Sequence, residues 1–388
     1  MDTAAAPKPA LVLTGGGARA AYQVGVLRAL AEFLPPHVRA PFSIIGGTSA
    51  GAVNAAVLAE HGSDFREGVR RLLAYWRQFH AGQVYRADAA GVFRNSGRWC
   101  LAALSGGGHR DRPMSLLDNT PLRELLSQRV DFSKIQQAID AGDLLALTVT
   151  ASGYASGESV TFFQGAPHLT GWRRARRVGV PMNIGVDHVM ASSALPFIFP
   201  PVHIHREYFG DGTMRQVAPV SPALHLGAER VLVIGVGHQN ERRERLKAGD
   251  YPSLAQIAGH ALNSIFLDSL EMDLERMQRI NRLLDLVPPG RLVAAGLDMR
   301  SVAFRVLTPS EELERIASQH VGALPRSVRM LLHTVGALHS SGSNLASYLL
   351  FERPFCRALI NLGYHDTLQR KDDLLEFLGY DNVGVRSA

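Results

Sequence analysis

The sequence predicts an α/β fold in which a central, mostly parallel sheet is flanked by helices. Short strand-like runs at residues 10–13 and 43–45 each pass through glycines into a helical pattern, so the chain begins strand, loop, helix, strand, turn, helix. A third run, VLVIGV at residues 231–236, predicts another buried strand. Strands that alternate with helices in this way are typical of a sheet covered by helices.

The other elements follow from local patterns along the chain. The first helix should cover residues 22–33, because Pro35 and Pro36 stop it. The other predicted helices are 64–80, 121–130, 189–201 with a break at Pro196, and 252–286; the other predicted strands are 302–307 and a hairpin of 144–150 with 159–163. Residues 81–115 show no clear order, and we expect a surface connection there rather than a lid.

Length and composition indicate a folded globular protein. With 388 residues, 46% hydrophobic and 20% charged, the chain can bury a large core and is not of the disordered class. After residue 310 the pattern is helical to the end, with no flexible linker before it. We therefore expect a main domain over residues 1–310 and a helical C-terminal extension over residues 311–388 packed on it.

The net charge of +6 makes an anionic membrane or substrate a reasonable partner. Basic clusters occur at residues 173–177 and 242–247, and an ordinary solvated surface is the first interpretation of both. No base-stacking aromatic pattern accompanies either cluster, so nucleic acid is not expected. Cys100 and Cys356 lack metal-ligand spacing, and the chain shows neither a signal-peptide pattern nor a membrane-spanning run. The expected compartment is the cytoplasm.

The most informative stretch is IIGGTSAGAVNAA at residues 44–56. It places Ser49 between a strand and an alanine-rich helix, with Gly47 and Gly51 two residues to either side. A nucleophilic serine requires such a tight turn, and the helix that follows directs its positive dipole end toward developing negative charge. The G-x-S-x-G spacing alone is equally compatible with an ordinary turn.

Two further stretches favour acyl transfer. Gly15, Gly16 and Gly17 follow a strand and can direct several backbone N–H groups at one oxyanion. Asp211, in a Gly-Asp-Gly setting, is a candidate base, although Asp211–Gly212 is by itself also a strong hairpin-turn signal.

These motifs together resemble the patatin-like phospholipase family of lipid acyl hydrolases. The matching segments, in the family's order, are GGGAR at Gly15–Arg19, GTSAG at Gly47–Gly51, ASSALPFIFP at Ala191–Pro200 and DGT at Asp211–Thr213. They cover the chain to about residue 240. The resemblance implies a three-layer sandwich, and the helical remainder resembles an extension present in some bacterial members.

The resemblance also implies a Ser–Asp dyad that works without histidine, cofactor or metal. Ser49 would attack an ester carbonyl of a phospholipid or related acyl ester, and Asp211 would take its proton. Gly15, Gly16 and Gly17 would form the oxyanion hole. Supporting roles would fall to Arg19, Gly47, Gly51 and Gly212. An acyl-serine intermediate would then be hydrolysed by water.

The chain departs from the family pattern at two small residues. Thr213 stands where glycine or alanine is usual, and Ala20 stands where glycine is common. A Ser-His-Asp arrangement would instead draw on Asp187, His188, His203, His205 or His238, none of which has independent support.

Several other classes compete with this interpretation. An ordinary α/β-hydrolase usually has several strands before its nucleophile, and Ser49 follows one. A dinucleotide-binding fold needs an acidic residue at the end of its second strand, where Gly46 and Gly47 stand. An acyltransferase and an inactive lipid-binding scaffold on the same fold stay open.

Overall fold

The computed structural model describes residues 8–86, 115–238, 257, 260, 269–297, 299–334 and 343–380. Most of the unassigned segment 81–115, the basic cluster 242–247 and Cys100 lie outside the described residues. The same holds for most of residues 252–268 of the predicted long helix.

The described strands form one mixed sheet. Their bounds are β1 Pro9–Leu13, β2 Ile44–Thr48, β3 Ala146–Gly153, β4 Ser159–Gly165, β5 Trp172–Arg174, β6 Arg177–Pro181, β7 Val202–Ile204, β8 Glu207–Asp211, β9 Arg230–Ile234 and β10 Ala303–Leu307. The order is β10-β9-β1-β2-β3-β4-β6-β5, and β8 joins β3 and β7. Strands β10, β9, β1, β2 and β3 run parallel, whereas the β3–β4 and β3–β8 pairs are antiparallel.

Helices cover the sheet. Their bounds are α1 Ala21–Phe33, α2 Ala50–Glu60, α3 Phe65–Trp76, α4 Thr120–Arg129, α5 Ser133–Asp140, α6 Val186–Ser192, α7 Ser221–His225, α8 Ser269–Asp285, α9 Pro289–Ala294, α10 Leu313–His320, α11 Arg326–Thr334, α12 Ser343–Leu349, α13 Arg353–Leu368 and α14 Lys371–Leu378. Short 3-10 turns precede α1 at Gly17–Ala20 and follow β8 at Gly212–Met214. Among the described residues, no helix is both long enough and apolar enough to cross a bilayer.

Two apolar layers pack on opposite faces of the sheet. Leu11 and Leu13 of β1 are buried in the larger cluster, which includes α1, α2 and much of the C-terminal helical segment. The alternating residues Ala10 and Val12 belong to the second cluster, with side chains from α8. This division follows from the two-residue period of a strand. The result is a helix–sheet–helix sandwich, which confirms the predicted fold class.

Most predicted elements are present within two or three residues. One predicted helix end was wrong, and the structure excludes the alternative interpretation of Asp211–Gly212 as a hairpin turn. The helix predicted over 189–201 ends at Ser192, because a residue before proline is driven out of the helical region and Pro196 follows closely. Asp211–Gly212 is not a hairpin turn: β7 and β8 pair through a turn at residues 205–206, and a 3-10 turn follows Asp211. The division of the chain at residue 310 stays a prediction.

Candidate active site

Ser49 occupies a strained turn between β2 and α2. Its backbone has φ 56° and ψ −128°, a left-handed φ that a non-glycine residue seldom adopts. Such strain is retained where the surrounding structure fixes the conformation, and it is common at functional sites. The Ser49 residue is 2% exposed and stands at the N-terminal end of α2.

The two glycines of the motif allow close packing around this turn. A Cβ at Gly51 would overlap the backbone carbonyls of Leu13 and Thr14 at the end of β1. A Cβ at Gly47 would overlap the backbone of Gly51 and Ala52 in the first turn of α2. The spacing of the motif therefore lets β1, β2 and α2 pack closely around Ser49.

Asp211 lies at the end of β8 and is fully buried. Thr213 donates to its Oδ1 from both the backbone amide, at 3.0 Å, and the side-chain hydroxyl, at 2.7 Å. Burial raises the pKa of Asp211 to about 6, against the opposing influence of Ser49 and Thr213. The neighbouring Gly212 packs on the Thr150 carbonyl, where a Cβ would overlap it.

The Asp211 carboxyl lies close to the Ser49 side chain. Within the described part of the chain, Oδ2 has no conventional hydrogen-bond partner, yet the Ser49 hydroxyl is close enough to lower the carboxyl pKa. Pairs that exchange a proton are commonly separated in this way before substrate binds and shorten their contact afterwards. The structure thus brings together the two residues that the sequence selected from positions 162 apart.

The glycine loop supplies unused backbone donors beside Ser49. Gly15, Gly16 and Gly17 are all buried, and their amides donate to no backbone carbonyl of the described residues. Gly17 has φ 56°, and a Cβ there would overlap the Tyr348 carbonyl, so a side chain is excluded by both conformation and space. Gly17 and Ser49 line the same cavity.

This cavity is predominantly apolar, and the space within it, counted together with the solvent that is open to it, is about 470 Å³. Its walls include Val53, Trp76, Phe79, Leu122, Phe199 and Phe351. No charged side chain is among the described residues that line it. The strained turn of Ser49 and Gly17 of the glycine loop therefore border an apolar cavity.

The family follows from comparison with known proteins. Residues 11–224, just over half of the chain, match the patatin-like phospholipase family. The chain belongs to this family. It is 28% identical over 224 residues to a cGAMP-activated phospholipase of Pseudomonas aeruginosa, a match that covers 55% of each chain.

Two further comparisons either match a shorter stretch of sequence or show a lower sequence identity. The chain is 52% identical over 61 residues to patatin-like phospholipase domain-containing protein 7 of Mus musculus, which is 16% of this chain and 4% of the mouse protein. It thus spans about half the length of the bacterial relative and a small fraction of the mouse one. A human GIVD cytosolic phospholipase A2 structure aligns over 97% of this chain and 59% of its own, with 15% identity and a TM-score of 0.44.

In this patatin-like chain, Arg19 joins the glycine loop to the C-terminal segment. Its side chain is 1% exposed and donates to Ser347 Oγ at 2.8 Å and to Glu314 Oε1 at 2.9 Å. Its guanidinium also lies 4.1 Å from the centre of the Tyr348 ring. Arg19 therefore connects the glycine loop to partners that lie about 300 residues away in the sequence.

Ser192 is a site residue for which the sequence suggested no role. It is fully buried at the end of α6, accepts a hydrogen bond from the Ser49 amide at 2.9 Å and donates to the Thr150 carbonyl at 2.6 Å. It thereby stabilises the strained backbone of Ser49. The ASSALP motif that contains it was the available signal, but only the fold shows which of its serines reaches the turn.

The alternative histidines have other partners. His188 accepts from the Gly185 amide at 3.0 Å, and burial lowers its pKa. His238 bonds to the Pro309 carbonyl, and Asp187 pairs with Arg123. None of these residues makes a hydrogen bond to Ser49 in the described structure.

Proposed function

We propose that this protein is a lipid acyl hydrolase that cleaves carboxylic esters through Ser49 and Asp211. One observation carries the proposal: Ser49 stands on a strained turn close to the buried carboxyl of Asp211, whose Oδ2 has no hydrogen-bond partner in the described structure. The apolar cavity beside Ser49 favours a fatty-acyl ester of a phospholipid or related lipid as the substrate.

The first half of the reaction would acylate the serine. Ser49 Oγ attacks the ester carbonyl carbon while its proton passes to Asp211 Oδ2. The carbonyl oxygen becomes an oxyanion, and the amides of Gly15, Gly16 and Gly17 stabilise it. The tetrahedral intermediate collapses, the carbon–oxygen bond to the alcohol breaks, and Asp211 returns the proton to the leaving alcohol.

The second half would release the fatty acid. Water attacks the acyl-serine carbonyl and gives a proton to Asp211, and the same three amides stabilise the second oxyanion. Collapse breaks the bond to Ser49 Oγ, which takes the proton back from Asp211. The products are a free fatty acid and unmodified enzyme, and no cofactor or metal is required.

The burial of Asp211 makes this proton transfer feasible without histidine. An exposed aspartate, with a pKa near 3.9, is a weak base. Burial raises the pKa of Asp211 to about 6, which leaves the carboxyl mostly ionised at neutral pH but more basic. Its desolvated charge also strengthens its interaction with the serine proton.

A peripheral contact with anionic membrane is part of the proposal. The β5–β6 hairpin exposes Arg173, Arg174 and Arg176 at one edge of the sheet, where they could approach lipid phosphates. An acyltransferase would use the same acyl-serine with an alcohol in place of water. An inactive scaffold would keep the cavity without turnover.

The test is hydrolysis of a p-nitrophenyl ester and of phospholipid vesicles by wild type, Ser49→Ala and Asp211→Asn. Both variants should lose at least about a thousandfold in kcat/KM while circular dichroism shows the fold intact. Asp187→Asn is the matched control, because Asp187 is exposed and pairs with Arg123. If Asp211→Asn stays active, the Ser49–Asp211 dyad is refuted. If the wild type hydrolyses neither substrate, the inactive-scaffold alternative is favoured.

A further inference from the structure

The cavity beside Ser49 is built partly from the C-terminal segment. Tyr348 and Phe351, which lie far beyond the family-matched residues 11–224, line it together with residues of α2 and α3. The Tyr348 carbonyl also packs directly on Gly17. The segment therefore forms a wall of the site and not only an outer layer.

The cavity extends from Ser49 along the first turns of α2. Ser49, Ala50 and Val53 line it in succession, and four residues of helix advance about 6 Å. Three aromatic rings that contact one another also line the cavity. The Trp76 ring lies 5.0 Å from Phe79 and 6.2 Å from Phe351, and Phe79 lies 6.1 Å from Phe351.

Hydrogen bonds fix this aromatic end. Trp76 Nε1 donates to Asn54 Oδ1 at 2.8 Å, so its polar atom is satisfied away from the cavity. On the two sides of Phe351 in sequence, the Leu349 carbonyl accepts from the Tyr85 hydroxyl at 2.8 Å, and the Glu352 carboxylate accepts from the Ala81 amide at 3.2 Å. Phe351 is 7% exposed and is held between these two contacts.

The chemistry of the walls selects hydrocarbon. The described lining residues carry no charge, and the polar atom of Trp76 is already paired with Asn54. A saturated chain gains from each methylene that it buries, whereas a charged group would lose its hydration without a partner.

We propose that the C-terminal segment completes an acyl-chain site and that Phe351, against Trp76 and Phe79, sets the longest chain that this site holds. This inference rests on the proposed function, because it assumes that the acyl carbonyl sits at Ser49. It assigns the C-terminal segment the role of determining chain-length specificity.

The experiment measures binding of saturated fatty acids from six to eighteen carbons by isothermal titration calorimetry. In wild type, affinity should rise about fourfold per added methylene up to a limiting length and then stay level. Phe351→Ala should move that limit to longer chains, and Val53→Phe should move it to shorter ones. Phe355→Ala is the matched control, because Phe355 is equally buried but does not line the cavity.

The same variants are then assayed on p-nitrophenyl esters of matching lengths. An unchanged limit in both Phe351→Ala and Val53→Phe would overturn the inference, and so would an equal shift in Phe355→Ala. Fatty-acid binding needs no turnover. If the variants shift the limiting chain length in fatty-acid binding while the wild type cleaves no ester, the acyl-chain site is upheld and the hydrolase proposal is refuted. If the wild type cleaves esters but neither variant shifts the limiting chain length, the hydrolase proposal is upheld and the acyl-chain site is refuted. Val53→Phe keeps the test decisive if Phe351→Ala does not fold.

Discussion

Thr213 places two hydrogen bonds on a single oxygen of Asp211. Its amide and hydroxyl both donate to Oδ1, and Oδ2 has no hydrogen-bond partner among the described residues. The hydroxyl is the additional element, because a glycine or alanine at this position would leave only the amide as a donor. Removing it should alter both the orientation and the basicity of the carboxylate.

Thr213→Ala should therefore move the acid limb of kcat/KM to higher pH. The Thr213 hydroxyl lowers the pKa of Asp211, which stands at about 6, so its loss raises that pKa. A hydrogen bond to a charged group is worth roughly 1.5 kcal/mol, which corresponds to a shift of about one pH unit. Tyr154, whose pKa is raised by burial and by Asp211, faces the same carboxyl and does not ionise in this range. Thr213→Ser should restore the wild-type profile, and an unmoved limb in Thr213→Ala would contradict the assignment.

Asp211→Asn should change the pH dependence of stability. In wild type the folded carboxyl keeps its proton up to about pH 6, while the unfolded one ionises near 3.8. Between these values the folded state binds more protons, so the free energy of unfolding falls as pH rises. The difference of about two units corresponds to about 3 kcal/mol. Urea unfolding at pH 4 and pH 8 should show the variant gaining this amount relative to wild type. A constant difference at both pH values would count against a raised pKa.

Ser192→Ala should lower kcat by roughly ten- to a hundredfold with little change in KM. It leaves the Ser49 amide and the Thr150 carbonyl without their buried partner, which costs about 1–3 kcal/mol. The strained turn then loses the hydrogen bond that holds the Ser49 backbone in position for attack on the substrate. Steady-state kinetics measure kcat and KM separately and so test this prediction.

Ser193→Ala provides the comparison, because the Ser193 hydroxyl has no hydrogen-bond partner among the described residues. Its effect on kcat should be the smaller of the two. Equal losses in both variants would show that the Ser192 bonds do not position the nucleophile.

Arg19 and Arg28 form a natural pair for a stability experiment. Each makes a 2.9 Å ion pair with a glutamate and lies close to 4 Å from a tyrosine ring, but the Arg19 side chain is 1% exposed and the Arg28 side chain 29%. Arg19→Ala should cost about 3 kcal/mol, because it leaves a cavity where a fully buried side chain stood and removes its hydrogen bonds to Ser347 and Glu314. Arg28→Ala should cost under about 1 kcal/mol. Denaturant unfolding measures both losses of free energy of unfolding. Equal losses would show that Arg19 does not stabilise the contact between the glycine loop and the C-terminal segment.

Local patterns predicted the parts of the site that depend on local chemistry. A β-branched run, two glycines and an alanine-rich stretch specify a strand, a turn and a helix, and so they placed Ser49 correctly at the turn. Family motifs then singled out Asp211, which no local pattern distinguishes from a hairpin residue. Burial raised its pKa through neighbours on β3 and β8 that sequence spacing does not reveal.

The contacts that sequence reasoning missed join distant parts of the chain. Ser192 reaches Ser49 across 143 residues, and Arg19 reaches Ser347 across 328. Helical periodicity after residue 310 predicts apolar faces but not which element each face covers. Phe351 could therefore be recognised as an apolar residue, but its place at the end of the cavity required the fold.

The parallel half of the sheet extends beyond the stretch that the family shares. Strands β9 and β10 follow residue 224, and β9 is the neighbour that covers one side of β1. A fragment cut at residue 224 would turn β1 into an edge strand, with a row of unpaired amides and carbonyls beside apolar side chains. Such edges recruit strands from other molecules. Recombinant protein ending at that boundary is expected in inclusion bodies, because the matched stretch omits two strands of the parallel sheet.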